Sequence, residues 1–359
     1  IFLGELNGMT PWATDIGNAY LEAKTCEKVC IKAGPEFGQL AGHLLIIDKA
    51  LYGLRFSGKM FEELLADCLT DLGFKRSKAE RNIFFRKSPS KDCYEYIATY
   101  VDDLCIIMQD PELFLQQLQA APFNFKLKGS GELSFHLGCA FVRDSTGTLC
   151  MAPGRYVDKM EESYLQFFGE KPRQRFSSPL ERGDHPELDV SNFLDQDKTE
   201  VYQSLIGAMQ WAVSIGRWDI QSAIMTMSIF RAQPRLGHLT RVQRIYGYLC
   251  KFRHFMIRFR TDEPDRSPVP DIPNYTWKHS AYGLPSEDIP EDAPSPLGKR
   301  VLLTHYFDAN LMHDVLSGKA VTGVCTFYNK TPVDWYCKQQ STSETATYGA
   351  EILSGRKYC

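Results

Sequence analysis

No apolar run in this 359-residue chain approaches the ~20 residues that a membrane helix needs, so a spanning helix is excluded. The first residues lack a basic region followed by an apolar core, which is not the pattern of a signal peptide. The chain starts at Ile1 rather than Met and is expected to be a piece of a longer product. It has no C-x-x-C pair and no Cys/His ligand spacing, which argues against zinc. Its eleven cysteines are scattered and odd in number. Cys105, Cys139, Cys250 and Cys325 lie in apolar stretches, so buried, reduced thiols of an intracellular protein are expected in place of disulfides. A basic excess is also missing: the net charge is −3, which speaks weakly against a nucleic-acid binder.

Local charge tells more than the average. Acids are absent from Arg231 to Arg260, "RAQPRLGHLTRVQRIYGYLCKFRHFMIRFR", which carries eight Lys/Arg with Tyr246, Tyr248, Phe252, Phe255 and Phe259 between them. A basic and aromatic stretch of this kind can follow a phosphate backbone. It can equally be the solvated face of a helix over a core stripe, and the sequence leaves both open.

The first thirty residues read as strand, turn and helix around "ATDIGNAYLEA". From Leu51 to Phe74, a loop feeds an amphipathic helix in which Met60, Leu64, Leu65, Cys68, Leu69 and Leu72 recur at helical spacing. Gly73 is its expected stop. "NIFFRK" and "YEYIATYVDDLCIIM" read as two antiparallel strands joined by "SPSKD", "LFLQQLQAA" as a short helix, and "LSFHLGCAFVRDSTGTLCMA" as a hairpin with "DSTG" at its tip. "VYQSLIGAMQWAVSIGRWDIQSAIMTMSIF" keeps one apolar periodicity until Pro234. Residues 261–298 are rich in Pro, Ser, Asp and Glu and read as a linker or insertion. "RVLLTHYFDANLM" and "AVTGVCTFYNKTPVDWYC" open a second β-containing unit.

Asp102 and Asp103 stand between two apolar stretches. Neighbouring strand residues point to opposite faces unless the pair occupies a tight hairpin tip. A buried, unpaired carboxylate costs several kcal/mol, so the pair needs a compensating charge, and a divalent cation supplies one. Two-cation phosphoryl chemistry needs a further carboxylate. Asp15, after a short strand and before a Gly-Asn turn, is the candidate, although alone it could be a helix N-cap.

"DIGNAYLEA", "ALYGLRFSGKMFEELL" and "YVDD" occur in the order and spacing that resemble the palm of a reverse transcriptase. The "LYGL" form resembles the Ty1/copia class of LTR retrotransposons. "FKLKGSGELSFHLGCAFVRD", the helical stretch with Arg217, Asp219 and Ile220, and "HYFDANLMHDVLSGKAVTGVCTFYNKTPVDWYCKQQ", similar to an RNase H opening, continue the likeness. The resemblance implies an α+β fold: a palm with incomplete fingers at 1–160, thumb/connection helices at 161–260, a linker at 261–298 and the start of an RNase H-like domain at 299–359.

It also implies roles. Asp15, Asp102, Asp103 and the Ile16 carbonyl would hold two Mg²⁺ ions, with Mn²⁺ as a substitute. Tyr20 would be the steric gate against a ribose 2′-hydroxyl, although alone it could be a core aromatic. Tyr100 would lie under the primer end. Gly53 and Leu54 would meet the template base and incoming nucleotide, Gly53 because close backbone approach leaves no room for a Cβ. Lys126 or Lys128 would protonate pyrophosphate. In the second unit Asp308 and Glu351 would be metal-binding carboxylates, with Glu344 as the rival of Glu351 and Asp314 as a surface acid. The implied partners are an RNA or DNA template, a primer, dNTPs and the rest of a Pol polyprotein, with no membrane. The implied location is a cytoplasmic particle with later nuclear delivery. Phe56 departs from the class, which has Gln there. The chain begins fourteen residues before Asp15 and ends at Cys359, so both flanks are expected to be incomplete and the chain as it stands to have little activity. The alternative function is a non-catalytic retroelement relic that at most binds nucleic acid.

Overall fold

The computed structural model describes residues 1–265, 267 and 290–356. A short helix α1 (Phe2–Leu6) precedes strand β1 (Pro11–Ile16) and a single helical turn α2 (Ala19–Glu22). A small hairpin of β2 (Cys30–Lys32) and β3 (Leu44–Ile46) follows, then helix α3 (Ser57–Asp71). Next come β4 (Lys75–Arg76), β5 (Ile83–Lys87), β6 (Tyr94–Tyr100), β7 (Asp103–Ile107), helix α4 (Pro111–Gln119) and β8 (Leu127–Glu132). Six of these strands form one antiparallel sheet in the order β4-β5-β6-β7-β1-β8.

Period-two alternation splits the central strands between two cores. Ile97, Leu104 and Ile106 face Phe61, Leu65 and Leu69 of α3 and Phe114 and Leu118 of α4. Tyr96, Ala98, Cys105 and Ile107 face the other way, toward Cys139, Phe141 and Leu149. Both faces of β7 are therefore covered, which is why "LCIIM" is apolar at every position. The α3 periodicity ends where expected: Gly73 takes φ +85°, and the Phe74 amide donates back to the Leu69 carbonyl at 2.9 Å.

The opposite core is closed by a four-stranded sheet, in the order β12-β11-β10-β9, of β9 (Phe135–His136), β10 (Cys139–Arg143), β11 (Leu149–Ala152) and β12 (Ile257–Arg258). Helices α5 (Gly154–Phe168), α6 (Gln196–Ser214), α7 (Gln221–Ser228) and α8 (Leu236–Lys251) share a separate core around Met160, Tyr164, Tyr202, Met209 and Tyr246. The division expected at 160/161 thus falls inside α5, whose apolar stripe belongs to the helical unit. The single apolar periodicity expected up to Pro234 is also broken. Gly216 at φ +114° separates α6 from α7, and Arg217, fully buried, binds Asp219 through two bonds of 2.9 and 2.8 Å.

A three-stranded antiparallel sheet of β13 (Leu303–Asp314), β14 (Lys319–Tyr328) and β15 (Thr331–Gln339), with helix α9 (Thr347–Gly355) across it, completes the fold. It docks on the helices: Trp335 Nε1 donates to the Val213 carbonyl at 3.1 Å, and Gln221 Nε2 to the Trp335 carbonyl at 3.3 Å. Most of the expected linker, residues 266 and 268–289, lies outside the described residues. Its end runs along the six-stranded sheet, where Tyr94 Oη donates to the Ser295 carbonyl at 2.8 Å. The ten cysteines among the described residues are free thiols, with Cys105, Cys139 and Cys250 buried and Cys325 half-buried.

Candidate active site at a hairpin tip

"YVDD" is not the middle of a strand. Tyr100 pairs with Asp103, so only Val101 and Asp102 connect β6 to β7. Val101 takes φ +56° and is exposed. A positive φ at the first of two central residues suits the right-handed twist of a hairpin. It is a strained choice for a β-branched side chain and is held by the pairing on both sides.

The neighbouring strand brings in the third carboxylate. β1 pairs antiparallel with β7, and Asp15 lies directly opposite Asp103, so the two side chains share one face. The Ile16 amide donates to the Asp102 carbonyl at 2.9 Å, which ties the end of β1 to the turn. Beyond it, the Gly17 amide donates to the Lys126 carbonyl at 2.7 Å. A Cβ on Gly17 would stand 3.2 Å from that oxygen and 2.8 Å from Lys128 Cε, so only glycine fits comfortably. Asn18 then takes φ +58°, a conformation Asn tolerates, and reverses the chain into α2.

Electrostatics reflect this crowding. Burial first, then the Asp102 and Asp103 charges, raise the Asp15 carboxyl above its ordinary value, against the pull of Lys128 opposite it on β8. Burial raises Asp103 as well, opposed by His136 and assisted by Asp102. Three like charges converging in a partly sheltered place fit a cation site. Among the described residues no three Asp, Glu, His or Cys side chains form a ready-made metal cage. Asp15, Asp102 and Asp103 are the side chains that could hold Mg²⁺ here, with the Ile16 backbone beside them.

Tyr20 packs on Phe61 and on Tyr52, with ring centroids 6.3 and 4.5 Å away. A cavity of about 280 Å³ is lined by Tyr20, Phe61, Phe84, Tyr100 and Val101, which joins the Tyr20 side of the site to the hairpin tip. Tyr100 is half exposed. Gly53 departs from its expected reason: a Cβ there would meet nothing within 4 Å, and φ +98° is what calls for glycine. Leu54 is partly buried, and its amide closes the turn on the Leu51 carbonyl at 3.2 Å. Lys126 and Lys128 are both exposed, and of the two Lys128 faces Asp15. A larger apolar cavity, about 470 Å³, is lined by Tyr96, Cys105, Ile107 and His136, on the face of the sheet that Asp103 shares with Cys105 and Ile107. His136, beside Asp103, had no signal in its own stretch; burial holds its imidazole below the ordinary value.

Four of the eight Lys/Arg of the Arg231 to Arg260 segment are paired with acids from outside it. Arg241 bonds Asp184 and Asp189 at 2.8 Å, Arg244 pairs with Glu181, Arg253 with Asp158 and Glu161, and Arg258 with Asp144. These acids lie in distant parts of the chain, so about half of the excess seen in the local sequence is offset in space. Of its two readings, the structural one describes these four arginines.

In the second unit Asp308 is exposed on β13. Glu351 Oε1 accepts from the Ala309 amide at 3.3 Å, and Ser354 Oγ donates to the Asp308 carbonyl at 3.4 Å, so α9 crosses the strand at this point. Glu344 instead sits near Gly349 and accepts from Thr342 Oγ1 at 3.1 Å. Asp314 caps a turn, accepting from the Leu316 and Ser317 amides at 3.0 and 3.2 Å.

The site is thus an antiparallel sheet with helices on one face and the Asp102–Asp103 pair at a hairpin tip beside Asp15. Residues 7–165 match the reverse transcriptase (RNA-dependent DNA polymerase) family, and this segment belongs to that family. By that match, residues 7–165 are of the RNA-directed DNA polymerase family. Its relatives are copia-type. It is 26% identical over 251 residues to a putative transposon Ty5-1 protein of Saccharomyces cerevisiae, covering 69% of this chain and 78% of that one. It is 28% identical over 240 residues to the retrovirus-related Pol polyprotein from transposon RE1 of Arabidopsis thaliana, covering 66% of this chain. Similarity to the Pol polyprotein from transposon TNT 1-94 of Nicotiana tabacum, at 21% identity, runs over 350 residues and 95% of this chain. The chain spans 16% and 23% of those two plant polyproteins.

Proposed function

We propose that this chain carries out template-directed DNA synthesis from dNTPs on an RNA or DNA template and primer, as part of a copia-type Pol polyprotein. The observation that carries the reading is the placement of Asp15 opposite Asp103, with Asp102 tied to Ile16. Asp15, Asp102 and Asp103 would hold two Mg²⁺, which when bound supply the charge that makes the primer 3′-hydroxyl a nucleophile and neutralises the triphosphate. The hairpin holds the carboxylates at the open end of the sheet, where an incoming nucleotide has access. Tyr20 sets its ring where a ribose 2′-hydroxyl would go. Tyr100, exposed beside the carboxylates, offers a platform for the primer end, and the Gly53–Leu54 turn faces the nascent pair.

The test is incorporation of a single nucleotide on a primed template by the 359-residue chain in Mg²⁺, read as an excess over background because little activity is expected of the chain as it stands. The Asp102→Asn, Asp103→Asn double variant is the background. Incorporation should vanish in the double variant, and incorporation that survives there defeats the assignment.

A second reading concerns residues 299–359. The three-stranded sheet crossed by α9, with Glu351 reaching the strand beside Asp308, supports the start of an RNase H-like unit. Cleavage of an RNA–DNA hybrid that persists in Asp308→Asn would remove this reading.

A further inference from the structure

Tyr52 has no core to serve. It is 65% exposed, yet its ring lies 4.5 Å from that of Tyr20, at 42° between planes. The backbone around it is fixed from several sides. The Ala50 amide donates to the Ala23 carbonyl at 3.0 Å, and Ser57 Oγ donates to the Leu51 carbonyl at 2.6 Å. Gly53 then turns the chain at φ +98°. This loop carries the ring onto Tyr20 and holds it there.

Tyr20 is thereby enclosed. On its inner side it meets Phe61, which is fully buried, edge-on at 6.3 Å. Its hydroxyl lies 3.6 Å from where a Cβ on Gly58 would be. Tyr52 is the outer wall. Without it, the Tyr20 ring has open solvent on that side and a wider range of rotamers.

We propose that Tyr52 is a positioning residue for sugar selection: its ring holds Tyr20 in the orientation that excludes a ribose 2′-hydroxyl. The proposal rests on the reading of Tyr20 as the gate. A gate discriminates only as far as it is kept from moving aside, because a displaced ring admits the ribonucleotide at little cost. Removing the outer ring should weaken discrimination without touching the carboxylates.

The experiment measures single-nucleotide kcat/KM for a dNTP and the matching rNTP with the 359-residue chain and its Tyr52→Ala, Tyr52→Phe, Tyr20→Ala and Tyr20→Ala, Tyr52→Ala variants. Tyr52→Ala should lower the dNTP/rNTP ratio by about two- to twelvefold, the range that a ring pair of this kind supports. The change should come from a lower KM for the rNTP, with kcat for the dNTP unchanged. Tyr52→Phe should keep the wild-type ratio, since the argument uses the ring and not the hydroxyl. In the Tyr20→Ala background, Tyr52→Ala should change nothing further. Equal losses with both sugars, or a ratio effect that adds to that of Tyr20→Ala, would overturn the proposal. If Tyr52→Ala is poorly folded by circular dichroism, Tyr52→Leu takes its place, and a wild-type ratio there overturns it too. A Tyr20→Ala variant with an unchanged ratio is a different failure: it removes the gate itself. Absent incorporation by the wild-type chain removes the polymerase reading and this inference with it.

Discussion

Asp103→Asn should make the metal-free protein more stable. Asp15 and Asp103 are direct cross-strand neighbours, and Asp102 adjoins both. Their carboxylates stand roughly 6 Å apart if the side chains run parallel from paired positions. Two unit charges at about 6 Å repel by about 2.8 kcal/mol at an effective dielectric of 20 and about 0.7 kcal/mol in water. Both groups are only partly sheltered, so the lower part of that range applies, about 1 kcal/mol. Asparagine keeps the shape and removes the charge. At pH 7 in EDTA the variant should therefore melt about 2 °C above the wild type. Mg²⁺ should reverse the order: at 10 mM, a site with a dissociation constant of about 1 mM adds about 1.4 kcal/mol to the wild type and little to the variant. The pH dependence has a definite sign. Asp15 and Asp103 are raised in the fold from 3.8, so just above that value the folded chain binds more protons than the unfolded one. Metal-free stability should fall as pH rises through that window, more steeply in the wild type than in the variant. Thermal melts across pH 4 to 8, with and without Mg²⁺, check all three points. An Asp103→Asn protein that is less stable in EDTA and gains as much from Mg²⁺ as the wild type would refute the reasoning.

Arg241→Gln should cost about 2–3 kcal/mol in urea unfolding, because Asp184 and Asp189 lose their partner. It should leave the salt dependence of nucleic-acid binding unchanged, since that guanidinium is already committed within the fold. Val101→Gly should stabilise the chain by about 1 kcal/mol in the same assay, the relief at φ +56° exceeding the added freedom of the unfolded chain. It should slow nucleotide incorporation, because the turn that aims Asp102 and Asp103 becomes looser. Gly17→Ala should lower both stability and incorporation, since the new Cβ presses on the Lys126 carbonyl that anchors β8 to the end of β1.

What the sequence by itself determined is whatever short-range pattern encodes. The α3 stripe from Met60 to Leu72 and its stop at Gly73 follow from helical periodicity and one positive φ. The strand character around Asp15 and around the Asp pair follows from short apolar runs, and the order of the motifs carried the family resemblance. Two local features carry weaker signals. A tight tip at the Asp102–Asp103 pair was one of two options; the tip falls one residue earlier, on Val101 and Asp102, although Val is a poor residue for positive φ. Gly216, inside an apolar run, was a helix break masked by the periodicity on both sides.

The rest depended on partners far apart in the chain. Arg241 meets Asp184 and Asp189 across 57 and 52 residues, and Arg244 meets Glu181 across 63, so no window of sequence shows that these arginines are paired. Glu351 lies 42 residues from Ala309, and only the crossing of α9 over β13 brings its carboxylate to the Ala309 amide. The contact of Tyr52 with Tyr20 arises because a loop and a helical turn meet in space. Hydrophobic period is a property of neighbours along the chain. Charge compensation, ring contact and the gathering of carboxylates are properties of neighbours in space, and only tertiary packing decides those.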